Sequence, residues 1–331
     1  MPVYRCNSCG LVAEEIALSA GTKIACKKCG AAVTLFATVF YVEKLVERYL
    51  AISRELEVLR SQDNEEEEQG TPLATMESFR RDQINNTTLL ATPEQHQPLR
   101  EWFTTRKVKT CFDYSQVDTT GFFDEAAVII GERYWLLNKV IEQIRHAYRQ
   151  DWSWLNIDLR NYASEGKQII KDSFRQLYSY TLFSRFTYKK QDDVVGLGIQ
   201  PAKQIRKFFM GGWLEWWAFM RLAEICLERA AQFSAAHSAQ LEFQNEESRE
   251  IDVIFLVKNS LPIIVECKSG EFRQELEKCS KLRQRLGLDK SQFIICNPDL
   301  TNEEVTALTT MYDLTFVNLH TFPIHMNLLI R

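Results

Sequence analysis

The spacing of apolar positions changes several times along this chain, and each change predicts an element. Between residues 37 and 62, Val42, Leu45, Tyr49, Ile52, Leu56 and Leu59 recur alternately three and four apart, with no Gly or Pro among them. That is a heptad seam on one helix. Glu43, Lys44, Glu47, Arg48, Arg54, Glu55 and Glu57 cover its outside. The seam either zips to a second copy, making a short coiled coil and a homodimer, or lies on another domain of the same chain. Residues 63–85 follow as a linker that opens with the run Glu65-Glu66-Glu67-Glu68, a composition that stays solvated because it has little to bury.

The middle of the chain reads as two small units. Residues 86–130 predict a mixed segment: a strand at 87–91, a helix at 93–104 opening with Pro93 in its first turn, and a strand at 107–114. Over 131–204 the pattern gives helices at 134–149, 159–163 and 167–180. Two alternating strands at 182–188 and 194–200 then flank the polar turn Lys189-Lys190-Gln191-Asp192-Asp193. Three helices and a hairpin is the order of a winged helix. Lys167, Lys171 and Arg175 lie four apart and share one face of its last helix. Such a row either contacts phosphates or is the solvated face of a packing module.

From residue 205 onward the pattern predicts an α/β domain. Gly211-Gly212 precede a helix at 213–233, on which Glu215 shares a face with Ala218, Phe219 and Leu222. An acid on an apolar face is unusual, although Glu215 also sits in the first turn, where the helix dipole favours it. Strands follow at 249–258 and 261–268, joined by the turn Asn259-Ser260. A basic-sided helix at 271–286 presents Lys278, Lys281 and Arg285, either to phosphates or to solvent. Buried strands at 292–297 and 314–319 complete the domain. His320 and His325 lack the spacing of a metal motif.

Composition and charge narrow the picture only a little. The 331 residues are 45% hydrophobic and 25% charged, ordinary for a water-soluble protein. No run approaches the roughly 18 apolar residues of a membrane span, and no basic start with an apolar run marks a secretory signal. A cytoplasmic protein is expected. The net charge of −4 does not mark a nucleic-acid binder as a whole. Residues 71–210 carry a surplus of four basic groups, while the segments on either side are acidic, so any phosphate contact is local.

Four of the nine cysteines form one pattern: Cys6 and Cys9, then sixteen residues, then Cys26 and Cys29, with Gly10 and Gly30 behind each pair. Two residues between cysteines let a single turn aim both sulfurs at one metal. The spacing is that of a four-cysteine zinc site, and four thiolates close the shell, so the zinc would be structural. The alternative is a pair of redox CxxC motifs. Residues 1–36 are therefore expected to be a zinc ribbon. The other five cysteines are scattered among apolar neighbours, as reduced thiols are.

The chemistry gathers in the C-terminal strands. Residues two apart on a strand point the same way, so Glu266 and Lys268 share a face and Cys267 looks away. Folding back at Asn259-Ser260 sets Asp252 opposite the Glu266 end. Two carboxylates, with the Cys267 carbonyl as a third oxygen, suit a hard divalent cation. Such an ion polarises a phosphate and lowers the pKa of bound water, and the lysine ammonium steadies the charge that develops. Glu215 would complete the shell or hold a second ion. The alternative is an ordinary salt-bridged strand end.

Gly-Gly-Trp-Leu-Glu-Trp-Trp at 211–217, Glu-Ile-Asp-Val at 250–253 and Ile-Val-Glu-Cys-Lys-Ser-Gly at 264–270 resemble the PD-(D/E)XK nuclease superfamily, restriction-endonuclease-like in fold. Within it they are most similar to the endonuclease domain of CRISPR ancillary nucleases activated by cyclic oligoadenylate. The resemblance covers roughly residues 205–300. It implies a mixed sheet flanked by helices, dependence on Mg2+ or Mn2+, cleavage of DNA or also RNA, and the roles above for Asp252, Glu266, Lys268 and Glu215. Those relatives carry a Rossmann-like sensor at the N-terminus. Here a zinc ribbon, a helix and a linker stand in that place, so a regulatory ligand or protein is expected without its kind being given.

The expected protein is thus multidomain α+β: an N-terminal zinc ribbon and helix, a winged-helix-like middle, and a nuclease domain at 205–331. The expected activity is metal-dependent phosphodiester hydrolysis in prokaryotic defence or DNA processing. The rivals are a non-catalytic nucleic-acid-binding adaptor on the same fold and a nuclease gated by a cyclic oligonucleotide.

Overall fold

The computed structural model describes residues 2–6, 11–38, 92–112, 122–243 and 248–331. The expected helix at 37–62, the linker, the strand at 87–91 and Cys9 lie essentially outside those residues. The chain divides into two compact units, Met1–Met76 and Glu77–Arg331.

In the first unit, strands β1 (Pro2–Arg5), β2 (Val12–Glu14) and β5 (Phe36–Ala37) pair in the order β2-β1-β5, and β3 (Lys23–Ala25) pairs with β4 (Ala32–Thr34). Tyr4, Cys6, Cys26, Val33 and Leu35 form its buried centre.

The second unit is built on a six-stranded mixed sheet in the order β14-β13-β12-β11-β10-β6. The strands are β6 (Lys109–Cys111), β10 (Phe233–Glu242), β11 (Arg249–Val257), β12 (Leu261–Cys267), β13 (Phe293–Cys296) and β14 (Thr315–Val317). Strands β12, β13 and β14 run parallel and the rest antiparallel. Val253, Phe255, Val257, Ile263 and Val265 bury into a core on one face, and Ile254, Leu256 and Ile264 into a core on the other. Alternation on two-sided strands requires this division.

Helix α1 (Pro93–Thr105) covers the second face. Thr92 caps it by accepting from the Gln95 amide at 3.2 Å, and Pro93 follows in the first turn. The segment expected as a separate unit at 86–130 thus supplies α1 and β6 to the main sheet, where Gln240 pairs with Cys111. Helices α2 (Phe122–Glu132) and α3 (Tyr134–Arg149) belong to the first face.

A second sheet, in the order β7-β9-β8, is formed by β7 (Trp154–Asp158), β8 (Phe183–Lys189) and β9 (Val194–Ile199), with α4 (Ser164–Ser179) beside it. The expected hairpin and its long helix are present. The expected helix at 159–163 is not: Leu159 leads into a turn, and the residues before it form β7 instead. Trp154 and Leu155 to Asp158 alternate exposed and buried, a two-residue period that a helix cannot use. The core of the first face runs without a break from Ala126 to Ile330, across residues 130 and 204.

A short helix, α5 (Lys203–Lys207), passes through a wide turn at Phe208–Gly212 into α6 (Trp213–Glu228). The turn is possible because Gly211 holds φ 149, a conformation open to glycine. Helix α6 ends at Glu228, not at 233. Phe233 opens β10, whose small residues Ser234, Ala235, Ala236 and Ala239 are buried on both faces. Helices α7 (Leu276–Leu286), α8 (Asn302–Met311) and α9 (Thr321–Leu329) complete the unit. No helix among the described residues is long and apolar enough to cross a membrane.

Candidate active site

The β11–β12 hairpin sets the register. Lys258 and Asn259 adopt positive φ at its turn, and pairing runs from Val257↔Leu261 to Val253↔Val265. One step further, Asp252 faces Glu266. Asp252, Glu266 and Lys268 therefore share one face. Cys267 points the other way and directs its thiol at the Leu214 carbonyl, 3.7 Å off.

On its other side Asp252 meets a distortion. β10 pairs His237 with Val253 and Ala239 with Ile251. Ser238 between them, across from Asp252, is buried and turns to φ 53. The ladder is interrupted on the β10 side at the acid, and the Asp252 carboxylate folds over to accept from the Cys267 amide at 2.7 Å.

Lys268 ties the acids together. Its Nζ lies 3.1 Å from Glu266 Oε2, 4.0 Å from Asp252 Oδ2 and 2.9 Å from Glu275 Oε2. Burial pushes the Glu266 carboxyl up to about 8, with the Asp252 charge adding to it and Lys268 opposing. Burial likewise lifts Asp252 to about 6, helped by Glu215. For Lys268 burial works against the charge, but Glu266, Asp252 and Glu275 outweigh it and hold the ammonium protonated.

Glu215 sits apart from this trio. Burial alone would raise its pKa, yet His237 wins and the carboxyl stays below its usual range. His237 Nε2 is 3.3 Å from Glu215 Oε2, too oblique to be a straight hydrogen bond. His237 and Glu275 are the members that the sequence reading missed. A histidine between buried alanines on β10 was the one available signal. Glu275 lies in a short turn, Arg273–Glu275, with no periodicity to mark it.

Helix α3 braces the loop behind the lysine. Arg145, buried on that helix, donates from Nη2 to the Ser269 carbonyl at 2.8 Å and to its hydroxyl at 3.2 Å, and also pairs with Glu142.

The donor set suits a hard cation. Asp252 and Glu266 are oxygen donors that are hard to ionise first because they are buried and then because their joint negative charge is only partly offset by Lys268. The oxygens of Glu215, Asp252 and Glu266 do not all fall within 4.8 Å of one another. Among the described residues, only Cys6, Cys26 and Cys29 form such a group.

The cysteines fit zinc in their own way. Cys6 and Cys29 sulfurs are 3.4 Å apart, near the roughly 3.8 Å edge of a tetrahedron with bonds of about 2.3 Å. The Lys28 amide points at the Cys26 sulfur at 3.5 Å, and Gly30 takes φ 74 to close the turn behind them.

Five of the six basic side chains of these rows are already engaged. Lys167 pairs with Asp193 at 2.6 Å, Lys171 lies 4.7 Å over the Tyr188 ring, and Arg175 lies 5.8 Å over Phe186. All three turn toward the β8–β9 hairpin. On α7, Lys281 pairs with Glu277 at 2.6 Å, Arg285 covers the Phe243 ring at 3.9 Å, and the Lys278 carbonyl accepts from Arg249. His325 Nε2 is 2.8 Å from the Ser291 carbonyl, a structural bond.

A lysine held among acids thus stands at the strand ends of this mixed sheet. Residues 202–293 match the family described as the Card1-like endonuclease domain. Among solved structures, protein VC1899 from Vibrio cholerae is similar at 17% identity and a TM-score of 0.46, over 70% of this chain and 60% of that one. Can2 from Sulfobacillus thermosulfidooxidans, solved with cyclic tetra-adenylate, is similar at 14% identity and a TM-score of 0.49, over 70% of this chain and 59% of its own. This chain thus spans about 60% of the length of either structure. No curated protein matches it.

Proposed function

We propose that this chain is a metal-dependent endonuclease that hydrolyses phosphodiester bonds of DNA or RNA, acting in prokaryotic defence. The observation that carries the reading is the position of Lys268, held between Glu266 and Glu275 beside Asp252, inside the segment that matches an endonuclease family.

Asp252, Glu266 and the Cys267 carbonyl would hold Mg2+ or Mn2+, which supplies polarisation of the phosphate and a more acidic bound water. The chain's own residues do the rest. Asp252 is oriented by the Cys267 amide. Lys268 keeps its proton and presents a fixed positive charge to the phosphate, where negative charge grows during attack. Glu215, drawn to His237, waits at the edge of the site as a further oxygen donor.

The zinc ribbon belongs to the same reading, with zinc on Cys6, Cys9, Cys26 and Cys29. The β8–β9 hairpin and α4 are proposed to approach nucleic acid. Lys167, Lys171 and Arg175 contribute there once the substrate competes for their present partners. Lys281 and Arg285 do the same along α7, beside the exposed Lys278.

The test is cleavage of supercoiled plasmid, single-stranded DNA and RNA in Mn2+, with chelator as control. The reading requires metal-dependent product from the wild type and none from Asp252→Ala. Equal behaviour of the two under every condition would sink it.

A further inference from the structure

A cleft of about 550 Å3 opens on the α6 side of the sheet, over the ends of β13 and β14. Trp135 stands at its rim and is 71% exposed, while Trp217 lies beneath with only 3% exposed. The cleft depends on a glycine. A Cβ at Gly131 would fall 2.1 Å from the Trp217 ring, so only glycine lets that indole occupy its place.

The polar lining is mixed. Asn138 and Asp299 offer acceptors, and Arg221 and His320 offer donors. Arg221 also pairs with Glu224 at 2.5 Å, and the carboxylates of Glu132 and Asp299 leave the lining net acidic. A phosphate site would be strongly positive. A flat wall of indole with both donors and acceptors at its edge instead matches a nucleobase, which stacks on aromatics and is read along its edge.

The cleft opens at the same end of the sheet as the candidate active site. Trp217 follows Glu215 by two residues on α6. Pro298 and Asp299 follow β13, whose neighbour β12 ends in Glu266 and Cys267, and adjacent strands are about 4.8 Å apart. Tyr134, at the start of α3, fixes the lip by donating to Asp299 at 2.8 Å and stacking on Trp213 at 5.1 Å.

We infer that this cleft binds one unpaired base of the strand being cut, stacked on Trp135, and so selects single-stranded or locally opened substrate. The inference rests on the nuclease reading. The same chemistry would also accept the base of a free nucleotide, so the experiment has an arm for each source.

Binding of a fluorescein-labelled 12-nucleotide single strand is measured by anisotropy, using the full chain carrying Lys268→Ala to keep the strand intact. Trp135→Ala is compared in that background, with Trp135→Phe as the conservative variant. Trp135 is exposed, so neither change should disturb folding, and a melting curve checks this. Stacking of one base is worth about 1–3 kcal/mol, so Trp135→Ala should weaken the strand about 5- to 150-fold and Trp135→Phe much less. A blunt duplex of the same sequence should show no dependence on Trp135.

Unchanged strand affinity in Trp135→Ala, beside normal cleavage by Trp135→Ala in an otherwise wild-type chain, overturns the cleft and leaves the nuclease standing. Loss of adenosine monophosphate binding in Trp135→Ala with strand affinity unchanged overturns it in favour of a free nucleotide. A wild type that neither binds nor cuts any nucleic acid removes both readings together.

Discussion

His237 Nε2 lies 3.3 Å from Oε2 of Glu215, and the indole of Trp216 stacks on the same imidazole at 4.6 Å and 18°. A histidine from a strand thereby holds a glutamate from a helix, while Ser238 meets the other ring nitrogen at 3.1 Å. Groups that orient a ligand for a metal typically change affinity or activity by about 10- to 100-fold. His237→Ala should lower Mn2+ affinity and cleavage by about that factor, and His237→Gln by less. Calorimetric titration with Mn2+ checks it. An unmoved affinity would mean that Glu215 is not held for the metal.

Lys268 should be needed for cutting and not for folding. Loss of a group that steadies transition-state charge costs about 10²- to 10³-fold in rate, so Lys268→Ala should show that drop in single-turnover cleavage. Lys268→Arg should not recover it. A planar guanidinium cannot occupy the point between Glu266 and Glu275 that the ammonium fills.

Ser238 carries strain beside Asp252. A left-handed backbone costs a non-glycine residue about 1–2 kcal/mol, and Ser238 holds φ 53. Ser238→Gly should raise stability by up to about 1 kcal/mol after its greater unfolded entropy is counted. Ser238→Val should lower it by more than about 1 kcal/mol, because a branched Cβ is disfavoured there. Denaturant titration reads both.

His96 should make the second unit acid-sensitive. Burial holds its imidazole down to about 4, with a hydrogen bond to Ala235 acting the other way. The unfolded chain takes up a proton near pH 6.5 and the folded one does not until about 4. Stability therefore falls as pH drops through that window, by up to about 3 kcal/mol. Asp252 and Glu266, with raised values, act in the opposite sense. The clean measurement is the stability of wild type minus that of His96→Gln, which should shrink between pH 7 and pH 4.

The N-terminal unit should carry one zinc per chain by elemental analysis. Cys26→Ser, which removes a buried ligand from the group formed with Cys6 and Cys29, should release it. A wild type that binds no zinc from a zinc-supplemented preparation would contradict the ribbon.

Much of the candidate site was legible because its geometry is local. The β11–β12 hairpin needs only a turn and a two-residue period to bring Asp252, Glu266 and Lys268 to one face, and the structure does so. Helix α3 was bounded by its own periodicity at the same residues. The other elements were hidden for physical reasons. β10 is rich in Ala and Ser and buried on both faces, so it shows neither alternation nor a strong apolar run. Arg145 stood in plain view on the face of Ile141 and Tyr148, a charge at helical spacing among buried side chains. Its partner Ser269 is 124 residues away, which no local pattern can reveal.

The amino-acid sequence alone determined the spacing of the cysteine pairs, the acid–lysine hairpin and the glutamate that opens α6, since turns, strand parity and helical spacing depend on near neighbours. Tertiary structure decided what those residues face. It brought β6 across to pair with β10, turned the row of Lys167, Lys171 and Arg175 onto its own hairpin, placed His237 against Glu215, and set Lys268 among three acids. Such outcomes depend on burial and on charges meeting from distant parts of the chain, and these exist only once the sheet has closed.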